Sequence, residues 1–196
     1  MPETSLTTLS GPALLAHLPA LARLRIEVFR AWPYLYEGDL AYEERYCRVY
    51  AERPGAAVVL ALSAGEVVGA STCLPLSQEP ETIQAPFIAA GLNPAEICYF
   101  GESVLLPGFR GQGLGVGFFQ GREAAARAWG AKLATFCAVQ RAPEDPRRPP
   151  GYTPLDEFWR HRGFTPRPDL ICTMSWREIG AAQQSANRLM FWTKPL

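Results

Sequence analysis

The chain has only two histidines, His17 and His161, in 196 residues, so a histidine-rich zinc site is ruled out. Five cysteines stand singly, with no CxxC pair, and most lie in apolar stretches. They read as buried free thiols of a reducing compartment rather than a disulfide framework or a metal site. There is no charge surplus: Lys plus Arg and Asp plus Glu are both 19. A basic track for nucleic acid is therefore missing. Long apolar runs are missing too. The longest, such as "AAVVLAL" at 56–62, cannot span a bilayer. The start, "MPETSLTTLS", has no basic region followed by an apolar one, so no signal peptide is expected and a cytoplasmic location is. What is present is ordinary for one globular domain: 48% hydrophobic and 19% charged residues.

Leu14, Leu18, Leu21, Leu24 and Val28 recur at helical spacing, with Pro19 fixing a firm helix only from about 20 to 30. An aromatic loop follows at 31–39, then a second helix at 40–52. The period changes at "AAVVLALS" (56–63) and "EVVGASTCLPL" (66–76), a hairpin signal. A polar, proline-containing segment spans 77–96. "ICYFGESVLL" (97–106) predicts a third strand, and "KLATFCAVQ" (132–140) a fourth, central one. A proline-rich loop at 141–154, a short helix at 155–164 and a strand at 169–179 complete the order. The tail, 181–196, carries Leu189, Phe191 and Trp192 and is expected to pack on the body, with apolar surface that allows a homodimer. The order ααβββαβαβ marks a mixed α+β or α/β single domain over 1–196, its core at about 10–180.

The most informative stretch is "PGFRGQGLGVGFFQGREAAARAWG", 107–130, where four glycines precede or open a helix just after a strand. A helix N-terminus has unpaired N–H donors and a partial positive charge. Glycines let an anion reach them without meeting a Cβ, and Arg110 adds a cation suited to phosphate oxygens. The same turn would also serve as a tightly packed connection that binds nothing. Two phosphate-binding patterns fit poorly. A dinucleotide fold needs G-x-G-x-x-G early in the chain, and a P-loop needs G-K-[ST]. Here the glycines alternate past mid-chain, and no lysine appears before Lys132.

These residues resemble the GNAT superfamily of N-acyltransferases. Leu105-Leu106-Pro107-Gly108-Phe109 followed by Arg110, Gly113 and Gly115 matches the family's strand end and Q/R-x-x-G-x-G/A mark. Trp159-Arg160-His161-Arg162-Gly163-Phe164 matches its aromatic-x-x-x-Gly-Phe mark, and the element order agrees over about 10–180. The resemblance implies a central, mostly antiparallel twisted sheet of about six to seven strands, flanked by helices and splayed at the motif strand. It implies acetyl-CoA as co-substrate and no metal. The coenzyme A diphosphate would take N–H bonds from Phe109, Arg110, Gly111, Gln112, Gly113, Leu114 and Gly115, with the Arg110 side chain at the rim. The pantetheine arm would pair along Val104, Leu105 and Leu106, and an N–H near Val104 would polarise the thioester. Transfer would be direct, so no cysteine nucleophile is required.

A direct transfer uses a base for the ammonium and an acid for the leaving thiolate. Glu102, a carboxylate in an apolar strand, is the candidate base or amine ligand, unless it simply faces outward. Many members carry a tyrosine acid where this chain has Trp159, and an indole N–H is no acid at neutral pH. Tyr152, just upstream, is the substitute. Trp32, Tyr34, Tyr36 and Glu37 border the expected acceptor site and suit a small cationic amine. The implied function is N-acetylation of a small amine. A non-catalytic acyl-CoA sensor and a protein N-terminal or lysine acetyltransferase stand as alternatives.

Overall fold

The computed structural model describes residues 3–196 as one mixed α/β sheet protein. In chain order it contains β1 (Thr4–Leu9), α1 (Leu18–Phe29), α2 (Leu40–Glu52), β2 (Ala57–Ser63), β3 (Glu66–Pro75), α3 (Glu81–Ala89), β4 (Ile97–Tyr99) and β5 (Ser103–Leu105). Then come α4 (Leu114–Ala128), β6 (Leu133–Val139), α5 (Asp156–Arg160), β7 (Thr165–Arg177) and β8 (Gln184–Pro195). The sheet order is β1-β2-β3-β4-β6-β8-β7, with β5 on β3. All pairings are antiparallel except β4 with β6.

Period-two alternation explains why both faces are covered. In β2, Val58 and Leu60 join the core under α1, α2 and α3, while Val59 and Ala61 pack with Leu114 and Phe118 of α4. Further along that second face, Phe100, Phe119, Phe136, Phe164 and Trp192 form an aromatic cluster. α4 lies close to the sheet because Gly117 and Gly121 carry no side chain. A Cβ on Gly121 would fall 2.6 Å from Val59 Cγ2, and one on Gly117 would collide with Leu6. The Asp39 side chain accepts from the Tyr42 N–H at 2.8 Å and starts α2.

Three elements differ from the sequence reading. β1 is a strand at the sheet edge, and α3 lies inside the polar, proline-containing segment for which no element was expected. Pro86 sits within α3, but Ile83 and Phe87, one turn apart, are both buried and hold it down. The tail does more than pack: β8 inserts between β6 and β7. Leu189, Phe191 and Trp192 are at most 2% exposed, so their apolar surface is used inside the sheet and gives no ground for a second copy.

The expected third strand is broken into β4 and β5. Tyr99 pairs with Leu74 and Ser103 with Ser71, so three residues, Phe100, Gly101 and Glu102, face only Thr72 and Cys73. This is a β-bulge, which shifts side-chain alternation by one. It turns Glu102 onto the α1 face alongside Tyr99 and Val104, whereas Cys98 and Phe100 face the aromatic cluster. Beyond the bulge β5 stays on β3 and leaves β6, opening the sheet between them.

Candidate functional site

The glycine turn is a row of unused donors. Pro107–Phe109 forms a 3-10 turn, in which the Phe109 N–H bonds Leu106 O and the Arg110 N–H bonds Pro107 O, at 3.0 and 3.2 Å. The next bonded amide is Val116, to Gly113 O at 2.9 Å. The five N–H groups of Gly111, Gln112, Gly113, Leu114 and Gly115 therefore have no acceptor among the described residues. Gly111 and Gly113 adopt φ of +76° and +81°, and a Cβ on either would meet nothing within 4 Å. Left-handed residues among successive unpaired amides are the backbone arrangement that cradles anions. A diphosphate fits this set. Phe109 and Arg110 drop out of the expected donors, because the 3-10 turn uses their amides. The Arg110 side chain also turns back, its Nε–H donating to Leu105 O at 3.2 Å, rather than standing at the rim.

Ladder parity corrects the strand positions as well. The Leu106 N–H bonds Val68 O at 3.0 Å, and Glu102 O accepts from Thr72 at 3.0 Å. Alternation then directs the backbone of Val104 and Leu106 toward β3. Ser103 and Leu105 present theirs to the opened edge facing β6, so Leu105 alone of the three expected residues lies on that edge.

Two cavities meet at this opening. The first, about 390 Å³, is lined by Phe119 and Arg122 of α4, by Phe136 of β6, and by Tyr152 and Trp159. The second, about 270 Å³, is lined by Arg25, Glu43, Tyr46, Glu79 and Trp176. Phe29, Tyr34, Gly101, Glu102 and Cys137 line both. The bulge is thus the partition between the cavities.

Glu102 is held from both faces. Its Oε2 lies 2.6 Å from Arg25 NH1, and the Tyr46 and Tyr50 hydroxyls approach it at 3.5 and 3.4 Å. Arg25 Nε also reaches Glu43 Oε2 at 2.5 Å, giving a buried Glu–Arg–Glu triad. Burial opposes the Arg25 charge, but Glu102, Tyr46 and Glu43 outweigh it and hold the guanidinium well above its ordinary value. On the other face, Arg122 NH1 donates to Glu102 O at 3.3 Å, and its ring neighbours Phe100 and Phe119 lie 4.3 and 4.7 Å from the guanidinium. Burial pulls Arg122 down to about 10. Glu102 Oε1 and Arg122 NH2 are buried without a partner among the described residues.

The expected acceptor residues separate. Tyr36 lines only the second cavity, where its hydroxyl donates to Glu43 Oε1 at 2.6 Å. Tyr34 lines both, and Trp32 only the first, edge-on to Tyr152 at 6.2 Å. Glu37 lines neither, because its carboxylate turns outward to Arg30 at 3.3 Å. Tyr152 shares the first cavity with Trp159 and Glu102, and burial, then Asp156, raises its hydroxyl above the ordinary value. Arg25, Glu43, Glu79 and Arg122 were missed from sequence. A charged residue on an apolar helical stripe was the available signal for two of them: Arg25 beside Leu21 and Leu24, and Glu43 in register with Cys47 and Tyr50. Glu79 is half-buried, and burial with the nearby Glu102 charge raises its carboxyl to about 7, against a smaller opposing effect of Arg53.

An antiparallel sheet with one parallel pair, opened beside a glycine-rich helix start, matches solved acetyltransferases over nearly their whole length. A GNAT-family acetyltransferase from Streptococcus pneumoniae superposes with TM-score 0.59 at 13% identity, over 99% of this chain and 100% of that one. This is the GNAT fold. The ribosomal-protein-alanine N-acetyltransferase of Brucella melitensis aligns over 98% and 99% of the two chains, with TM-score 0.65 and 16% identity. YncA of Salmonella typhimurium, a putative acetyltransferase whose structure contains acetyl-CoA, aligns over 97% and 94%, with TM-score 0.62 and 13% identity. No protein-family model and no curated protein matches the sequence. Among the described residues of this GNAT-fold chain, no cluster of three His, Cys, Asp or Glu could hold a metal, and no helix is long and apolar enough to cross a membrane.

Proposed function

We propose that this protein transfers the acetyl group of acetyl-CoA to an amine. One observation carries the reading: two cavities meet at Gly101 and Glu102, and five amides unpaired among the described residues lead into α4, whose Phe119 and Arg122 line the first cavity. Gly111 to Gly115 would hold the diphosphate by backbone donation. The opened edge at Ser103 and Leu105 would align the pantetheine arm and offer an N–H to the acyl oxygen. When bound, the thioester supplies the activated acyl group. The Glu102 Oε1, free of partners among the described residues, receives the amine from the second cavity. Arg122 fixes the bulge carbonyl, and the Tyr152 hydroxyl hands a proton to the departing sulfur.

Trp159 favours a second reading. It lines the first cavity where the resemblance expects a tyrosine, and an indole cannot act as that acid. A chain lacking the acid function would bind acyl-CoA without turning it over. Calorimetry with acetyl-CoA, followed by thiol release in the presence of amines, separates the two. Binding with thiol release supports the enzyme, and a Tyr152→Phe variant should then lose about 100-fold or more in kcat. Binding without release across an amine panel leaves a sensor. Absence of binding overturns both.

A further inference from the structure

The second cavity carries its own information about the acceptor, on the premise that acetyl transfer occurs at the bulge. Its roof is the segment between α1 and α2, and that roof is fastened. The Glu37 N–H bonds Arg177 O at 2.9 Å, and the Ile179 N–H bonds Leu35 O at 2.8 Å. Trp176 Nε1–H donates to Tyr34 O at 2.9 Å, and Arg141 Nε–H to Pro33 O at 2.8 Å. Arg141 is in turn paired with Glu178 at 2.8 Å. A polypeptide acceptor needs an open groove and backbone edges to lie along. Here the segment already bridges to the end of β7, through Tyr36 opposite Glu178. Its exposed lining residues are Tyr42 of α2, Pro80 and Thr82 at the start of α3, and Ser175 of β7. The volume, about 270 Å³, lies just below the usual range for small-molecule sites.

The walls are aromatic and the charge is acidic. Tyr99 and Trp176 add aromatic rings to its walls, which suit a cation, while the Tyr46 ring already carries Arg25 at 4.2 Å. Arg25 is matched by Glu43 and Glu102, so it leaves no positive charge over. The Glu79 side chain has no hydrogen-bond or ion-pair partner among the described residues, although it lines the same cavity as Glu102.

We propose that the acceptor is a small primary amine with an aromatic or aliphatic body, its ammonium seated between Glu79 and Glu102, and that Glu79 takes the proton that frees its lone pair. Two protons leave the nitrogen. One goes to Glu79 and on to solvent, and the other ends on the coenzyme A sulfur. The N–C bond forms as the C–S bond breaks. Glu102 suits seating better than proton transfer, because Arg25 and two tyrosines hold its Oε2. Glu79 suits proton transfer because its carboxyl, raised to about 7, is matched to a neutral medium. The groups facing it are Glu102 from the bulge, Arg53 at the α2 C-cap, Tyr46 and Tyr50 from α2, and Tyr99 from β4. The three tyrosines are raised by burial first and then, for Tyr46 and Tyr50, by Glu102, which takes these hydroxyls further from neutrality.

The test is thiol release from acetyl-CoA by the full chain, with phenethylamine and butylamine set against a peptide with a free N-terminus and a lysine peptide. The small amines should turn over at least about 100 times faster than either peptide. Glu79→Gln should lower kcat/KM by about 100-fold or more near pH 7, with acetyl-CoA affinity unchanged. It should also lose the rise in rate across that pH and recover toward pH ~10, where the amine arrives unprotonated. Glu79→Asp should keep the rise. Equal turnover of peptides, no turnover of the small amines despite acetyl-CoA binding, or a Glu79→Gln profile like the parent's would overturn the inference and leave acetyl-CoA binding standing. Failure of acetyl-CoA to bind removes the parent reading itself.

Discussion

Replacing Arg25 by methionine isolates the charge that holds the site together. Arg25 is 9% exposed, Glu43 0% and Glu102 6%. The guanidinium reaches one carboxylate at 2.5 Å and the other at 2.6 Å. Methionine fills much of the same volume but strands two buried carboxylates. Breaking a buried ion pair from one side costs about 3–5 kcal/mol. The ring contacts of Arg25 with Tyr46 and Phe29, at 4.2 and 5.1 Å, are lost as well. In a chain of this length each kcal/mol moves the melting temperature by roughly 2–4 °C, so a fall of about 6–20 °C is expected. Urea unfolding at pH 7 should show a lower midpoint with an unchanged slope. The deficit must also depend on pH. Stranded buried carboxylates have raised folded-state values, so their penalty grows above the unfolded value of about 4.3 and fades below it. Arg25→Lys keeps one charge but cannot span both partners, and should fall between the two. A loss below about 1 kcal/mol at pH 7, or one that persists undiminished at pH 4, would refute the triad as the structural centre of the site.

Glu79→Gln makes a separate prediction about stability. A carboxyl raised from 4.5 to about 7 favours folding below 4.5 and loses that contribution as pH rises to 7, because the unfolded chain ionises first. Moderated by solvent, the cost is about 1–2 kcal/mol. The glutamine variant should therefore be more stable than the parent at pH 8 and equal to it at pH 4 in urea titrations, and equality at both pH values would count against the raised carboxyl. Gly113→Asp puts a carboxylate among the five free amides at φ +81°, so acetyl-CoA affinity by calorimetry should fall at least about 100-fold. Gly113→Ala carries the backbone strain of about 1–2 kcal/mol without the charge, and should bind more tightly than the aspartate variant.

The glycine turn and α4 were legible because their signal is local: alternate glycines, then an alanine-rich helix, within 24 residues. Glu102 stood out as a carboxylate in an apolar strand. Its direction did not, because the bulge that turns it depends on how β3 pairs on both sides of Gly101. A glycine inside a strand was the readable sign of that bulge. The same register shift moved the opened edge from Val104 to its neighbours. Arg25, Glu43, Glu79 and Glu102 lie on four separate segments, and only the folded sheet brings them to one cavity. β1 escaped because "TSLTTL" offers two leucines and a half-exposed pattern. It is defined by its ladder on β2 rather than by its own composition.

The position of β8 has a consequence for synthesis. β6 is paired on one side by β4, but its other edge waits for residues 184–195. Roughly 45 residues must be made between the end of β6 and the start of β8. At about 5–20 residues per second, a nascent chain carries that bare, apolar edge for several seconds. A ribosome stalled in this interval holds a polypeptide with an adhesive strand and an incomplete aromatic cluster. The glycine turn has by then been made, yet the sheet that gives it a purpose has not closed.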